Sequence, residues 1–174
     1  QPVPLGSIDE DPLARLPVGI GEFDRVLGGG LVPGSIILVG GEPGIGKSTL
    51  LLQAAATLAG SLAANGGRVL YATGEESAAQ VRLRAARLGI LAGPSAAGIA
   101  VVAEAEVGRV VEHARTERPS VLVVDSIQTA TVDALDGPAG SVGQVRESAY
   151  RLMELAKDEG IAVVLVGHVT KDGS

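Results

Sequence analysis

Cysteine and tryptophan are absent, and phenylalanine and tyrosine together supply only three of the 174 residues. Without cysteine there can be no disulfide framework and no thiolate metal site, which fits a reducing, cytoplasmic setting. Without aromatics, the core must be assembled from Val, Ile, Leu and Ala. Basic charge is also short: 14 Lys and Arg stand against 20 Asp and Glu, for a net charge of −6. No domain-wide positive field is therefore available to hold nucleic acid or anionic lipid, although a local basic site remains open. No apolar run approaches the roughly 20 residues of a membrane span. The opening "QPVPLGSIDEDP" has neither the basic nor the apolar region of a signal peptide. It also lacks an initiator Met, and the chain stops abruptly after "IAVVLVGHVTKDGS", so a piece excised from a longer protein is expected.

What is present is an alternation of apolar runs and helical periods. Residues 1–17 hold four of the nine prolines and several acids, and read as an arm or linker before a domain over 18–174. The runs "SIILVGG" (35–41), "RVLYAT" (68–73), "GIAVVA" (98–103), "SVLVVD" (120–125) and "IAVVLVG" (161–167) read as strands. Between them, 47–64, 77–89, 106–118 and 141–160 read as helices. The second of these helices, 77–89, places Ala78, Val81, Ala85 and Leu88 on one face. The last buries Val142, Val145, Ala149, Leu152 and Ala156. Strands that are apolar throughout, alternating with helices, predict an α/β fold: a mainly parallel sheet covered on both faces.

The first strand runs into "GEPGIGKS", Gly41 to Ser48, followed by Thr49. This matches G-x-x-x-x-G-K-[ST] in full, between a strand and a helix. Glycines let successive N–H groups turn inward toward phosphate oxygens, and the following helix adds the partial positive charge of its N-terminus. The expected ATP site is Gly41, Glu42, Pro43, Gly44, Ile45, Gly46, Lys47, Ser48 and Thr49. Lys47 reaches the β- and γ-phosphates, and Ser48 ligates Mg²⁺. Asp125 ends a buried strand on the same sheet edge, where a carboxylate can hold that magnesium through its water shell; an Asp there can also cap the next segment. The second strand ends in "YATGEES", which brings Glu75 and Glu76 to this edge. One of them is the candidate base for orienting the attacking water. Glu75 is the choice, because Glu76 is one step nearer the helix and expected to point outward. Arg82, Arg84 and Arg87 read as a solvated helix face, and His113 as surface.

Taken together, "VGIGEFDRVLGGGLVPGSIILVGGEPGIGKSTLLLQ", "YATGEES", "VVDSIQT", "GSVGQVRE" and "VGHVTKDG" resemble the ATPase core of the bacterial RadA (Sms) family of DNA-repair proteins. The resemblance runs from Val18 to the end. It implies a three-layer, RecA-like phosphate-loop NTPase with strand order 3-2-4-5-1, as a truncated core. It also implies DNA-dependent ATP hydrolysis, action in recombination and on branched DNA, and a homo-oligomeric ring, a hexamer. By motif, Lys47, Glu75 and His168 take catalytic roles, and Ser48 and Asp125 the metal roles. His168 is then placed near the γ-phosphate as a sensor, rather than as a strand-end histidine bonded to neighbouring backbone. Arg146 and Lys171 become the DNA-contacting candidates, although Lys171 could equally touch ATP or nothing. The segment 131–141 takes the place of a RecA-type DNA loop, yet it carries two Asp and no Lys or Arg. The family also implies a four-cysteine zinc module before this region, and a DNA loop, a Lys-Asn-Arg-Phe-Gly motif and a Lon-protease-like domain after it. A different class of function, a KaiC-like ATP-dependent assembly switch without DNA, accords with the acidic charge. A small-molecule kinase would need an Arg-rich lid, and no such segment is found.

Overall fold

The computed structural model describes residues 2–7, 15–16, 29–41 and 46–168. Five strands form one sheet: β1 (Ile36–Gly41), β2 (Val69–Thr73), β3 (Ile99–Ala103), β4 (Val121–Asp125) and β5 (Ala162–His168). Their spatial order is β1-β5-β4-β2-β3, and all four pairings are parallel. Read from the far edge this is 3-2-4-5-1, the order implied by the resemblance. Burial follows position. Every residue of the internal strands β2 and β4 is buried, whereas β1 and β3, the two edges among the described residues, are only partly covered.

The helices divide between two faces. On one, α1 (Lys47–Leu62) and α2 (Ala78–Arg87) pack Leu52, Leu58, Val81 and Ala85 against Val69, Tyr71, Val123 and Val164. On the other, α3 (Val107–Glu117) and α4 (Val142–Glu159) pack Val110, Ala114, Leu152 and Leu155 against Leu70, Leu122, Val124 and Leu165. Alternate residues of each strand thus feed opposite cores, as the pleat requires. Leu122, Leu152 and Leu155 are fully buried, each contributing about 1.5–3 kcal/mol of transfer free energy. Leu16 forms an antiparallel bridge with Leu31 and packs on the first of these cores.

Two helix faces differ from the periodic reading. In α2 only Val81 and Ala85 are buried, and Ala78 is exposed. In α4 the buried set is Gln144, Ser148, Leu152, Leu155 and Ala156, while Val142 is 73% exposed. The first turn of α4 also meets the loop that precedes it, through Gln144. Gln144 turns inward there to bond main-chain groups, and Val142 is left outside.

Candidate functional site

Because all strands are parallel, their carboxyl ends share one edge of the sheet, and that edge gathers the candidate residues. β1 delivers Gly41, β5 delivers His168, β4 delivers Asp125, and β2 delivers Thr73 followed by Glu75 and Glu76. Gly41 lies opposite His168, and Thr73 opposite Asp125. Gly46 precedes α1 with φ of 75°, a left-handed conformation that glycine adopts without strain. Ser48 and Thr49 occupy the first turn of α1. Of the proposed phosphate loop, Glu42, Pro43, Gly44 and Ile45 lie outside the described residues, as does Lys171.

Lys47 bends back across the mouth between β1 and β5. Its ammonium donates to the carbonyls of Gly41 and, at 2.8 Å, of Gly167. Gly167 is confined from the other side, since a Cβ there would meet Leu38 Cδ1 at 2.9 Å. The imidazole of His168 is half-buried, and its Nδ1 is buried without a hydrogen-bond partner.

Asp125 is 4% exposed. Its Oδ2 accepts a 2.8 Å hydrogen bond from the hydroxyl of Tyr71, one strand away and itself fully buried. Burial, and then the Asp125 carboxylate, hold the Tyr71 hydroxyl well above its ordinary range, while Arg84 opposes them. The hydroxyl is therefore a committed donor. The turn after Asp125, which begins with a cis peptide to Ser126, is tied by Thr129: its hydroxyl donates to the Ser126 carbonyl at 3.0 Å and accepts from the Ser126 N–H at 3.2 Å. This turn meets the one carrying the two glutamates. Gly74 N–H donates to the Asp125 carbonyl at 3.0 Å, and a Cβ on Gly74 would lie 2.5 Å from Thr129 Oγ1. The first residue of "GEES" must therefore be glycine.

The two glutamates separate, though not as expected. Glu75 is exposed, whereas Glu76 turns toward α2 and forms a 2.7 Å ion pair with Arg84. Arg84 is thus no member of a solvated face. Its side chain is 19% exposed, and its Nε is buried without a partner. Arg82 and Arg87 are exposed, as is His113. Arg146 is exposed too, and lines a groove beside β1 with Tyr150 and Met153. The loop over 131–141 is organised by Gln144, whose side chain accepts from Val132 N–H and donates toward the carbonyls of Val132, Leu135 and Gly137.

Sequence reasoning missed Tyr71, Gln144 and Gln128, whose side-chain amide pairs with the His168 main chain, and misplaced Arg84 on a solvated face. The signal for Gln128 was in view: "DSIQT" sets polar residues directly after a buried strand. Tyr71 offered no such signal, because its partner lies on another strand, and neither did Arg84, whose partner Glu76 lies in the turn before its helix.

The donor set suits a magnesium–nucleotide rather than a bare cation. Among the described residues no three His, Cys, Asp or Glu cluster as ligands. What the edge offers is one buried carboxylate, one hydroxyl position in the first turn of α1, and a lysine. Magnesium keeps several waters and takes much of its coordination from phosphate oxygens, so so few protein ligands are enough.

Comparison with known proteins agrees with this geometry. The family described as "AAA domain" matches residues 14–174. The DNA repair protein RadA of Bacillus subtilis (strain 168) is 48% identical over 174 residues, all of this chain but 36% of the relative. RadA of Brucella abortus (strain 2308) is 48% identical over 173 residues, 97% of this chain and 35% of the relative. RadA of Mycobacterium tuberculosis (strain ATCC 25618 / H37Rv) is 46% identical over 172 residues, again 35% of its length. This chain thus spans about a third of these relatives. Among solved structures, a DnaB-like replicative helicase superposes with a TM-score of 0.71 at 17% identity, over 92% of this chain and 44% of that one. The chain is a RecA-like phosphate-loop fold, similar to bacterial RadA proteins over nearly its whole length, and it belongs to the AAA domain family.

Proposed function

We propose that this chain is the ATP-binding and ATP-hydrolysing core of a RadA-type DNA-repair ATPase. In its parent it would work as part of a DNA-dependent homo-oligomeric ring on recombining or branched DNA. The observation that carries this reading is the convergence of Lys47, Asp125, Glu75 and His168 on one edge of the sheet. In it, the 41–49 segment cradles the phosphates and Lys47 leaves the Gly167 carbonyl for phosphate oxygens. Ser48 and Asp125 would hold magnesium, which when bound neutralises charge developing on the phosphates. Tyr71 holds one Asp125 oxygen, leaving the other free to accept from metal-bound water. Glu75 orients the attacking water, because the Glu76 carboxylate is already engaged by Arg84.

The test is a pair of variants. Lys47→Ala should abolish Mg-ATP binding. Glu75→Gln should keep binding and lower turnover by about 10²–10⁴-fold, the usual worth of a positioned base. Unchanged nucleotide affinity in the first variant would remove the site assignment. Unchanged turnover in the second would pass the role of base to another group.

One observation favours a second reading, an assembly switch driven by ATP without DNA. The ordered 131–141 loop presents Asp133 and Asp136 and no cation. Salt-dependent binding of single-stranded DNA by the parent protein, with and without ATP, separates the two.

A further inference from the structure

We propose that Gln128 is a positioning residue that couples the nucleotide site to the main chain of His168. The proposal rests on the nucleotide reading of Lys47 and Asp125 and deepens it. β4 leaves the ladder after Asp125, which is paired with Val166. One further main-chain bond follows, from Ile127 N–H to the Val166 carbonyl at 2.8 Å. His168 lies beyond this point, and β4 has no residue left to pair with it. The Gln128 side chain takes the vacant place. Its Oε1 accepts from His168 N–H at 3.0 Å, and its Nε2 donates to the His168 carbonyl at 3.1 Å. In a parallel ladder both main-chain groups of such a residue point to the same neighbour, so a single amide substitutes for the missing strand. The orientation of that amide follows from its partners, since the N–H needs an acceptor and the carbonyl a donor.

The two peptides at this strand end are thereby held from opposite sides. The Gly167 carbonyl is bonded by Lys47 at 2.8 Å, and the His168 N–H and carbonyl are bonded by Gln128. Gln128 stands three residues after Asp125, in the turn tied by Thr129. A nucleotide that draws Lys47 away from Gly167, or a magnesium that shifts Asp125, therefore acts on a His168 main chain anchored to the metal side. Glutamine alone supplies both the donor and the acceptor at this reach. An ionised glutamate has acceptors only and would face the His168 carbonyl; asparagine is one methylene short.

The test uses the 174-residue chain, at 17.4 kDa small enough for amide-resolved NMR. The His168 amide is followed during titration with Mg-ADP in the wild type, Gln128→Ala and Gln128→Glu. The wild-type resonance should move on saturation. Both variants should bind Mg-ADP within about threefold of wild type, as expected where no ligand contact is removed. In Gln128→Ala, which removes the acceptor, the His168 amide should exchange with solvent about fivefold faster, the worth of one ~1 kcal/mol hydrogen bond. Gln128→Glu keeps that acceptor and loses the donor to the His168 carbonyl, and in both variants the response of the His168 amide to Mg-ADP should be lost. Failure of the near-isosteric Gln128→Glu to rescue is the decisive arm, because plain packing would tolerate it. An unaltered His168 response in either variant overturns the coupling. So does loss of Mg-ADP binding together with a lowered melting temperature, which would mark Gln128 as merely structural. A wild type that takes no Mg-ADP overturns the nucleotide reading itself.

Discussion

A buried carboxylate is defined by what its oxygens already hold, and here Tyr71 decides that for Asp125. The hydroxyl and carboxylate lie 2.8 Å apart, both on buried residues. Removing the hydroxyl in Tyr71→Phe leaves the ring in place and one Asp125 oxygen unsatisfied, at a cost of about 1–3 kcal/mol near neutral pH. The pH dependence carries a sign. The folded-state pKa of Tyr71 is raised, first by burial and second by Asp125, above its ordinary 10.0. Above that pH the unfolded chain gives up its proton while the folded one keeps it, so stability from this group is present below about pH 10 and falls as pH rises. The stability difference between wild type and Tyr71→Phe in urea unfolding should therefore narrow from pH 9 toward pH 11. A constant difference would show that the hydroxyl is not held in its protonated form. At this scale the sequence was half legible. Lys47 and Asp125 could be read because their meaning lies in local context: a loop before a helix, or an acid ending an apolar strand. Tyr71 could not, because its partner Asp125 is brought near only by strand order, and Arg84 could not, because its pairing with Glu76 depends on how the turn before its helix folds. Arg84 shares the 77–89 periodicity with the exposed Arg82 and Arg87, and nothing local tells them apart.

Elements were more legible than residues, and for a physical reason. Strands buried on both faces have no polar residue to interrupt them, and helix ends are marked by chemistry that costs free energy to omit. Ser77 accepts from Gln80 N–H at 3.2 Å, and Gln80 Oε1 accepts from Ser77 N–H at 2.8 Å, a capping box that opens α2. Gly89, with φ of 74°, follows its end. The start of α4 misleads because periodicity presumes that a buried face is apolar. Gln144 is 2% exposed and holds a loop by its side chain, so a polar residue occupies an inward position while Val142 faces out. Replacing it in Gln144→Ala would leave the Val132 N–H and the Leu135 carbonyl without their bonds. We expect a loss of about 1–3 kcal/mol of stability, together with faster hydrogen exchange in peptides covering 131–137. Undiminished protection of that loop would mean its order has another source.

At the scale of the whole molecule, the strand order makes β1 an edge. It pairs with β5 on one side, and among the described residues no strand pairs with its other side. Edge strands expose N–H and C=O groups, and natural proteins blunt them with charge, proline or bulges. β1 reads IILVGG and has none of these. Leu38 is 64% exposed, and beside it a groove of about 470 Å³ runs between β1 and α4, lined by Ile36, Val145, Tyr150 and Met153. The sequence already carried half of this, since "SIILVGG" lacks any residue that discourages pairing. Its place at the margin came only with the RecA-like order. The 174-residue chain is therefore expected to associate through this edge as its concentration rises. Leu38→Lys adds a charge to the exposed position of β1 without touching the Gly41 or Lys47 contacts. It should shift the chain toward monomer in sedimentation velocity while leaving Mg-ADP binding intact. If Leu38→Lys and wild type sediment alike across the concentration range, the outer side of β1 is already covered within the chain. The edge would then hold no sway over its assembly.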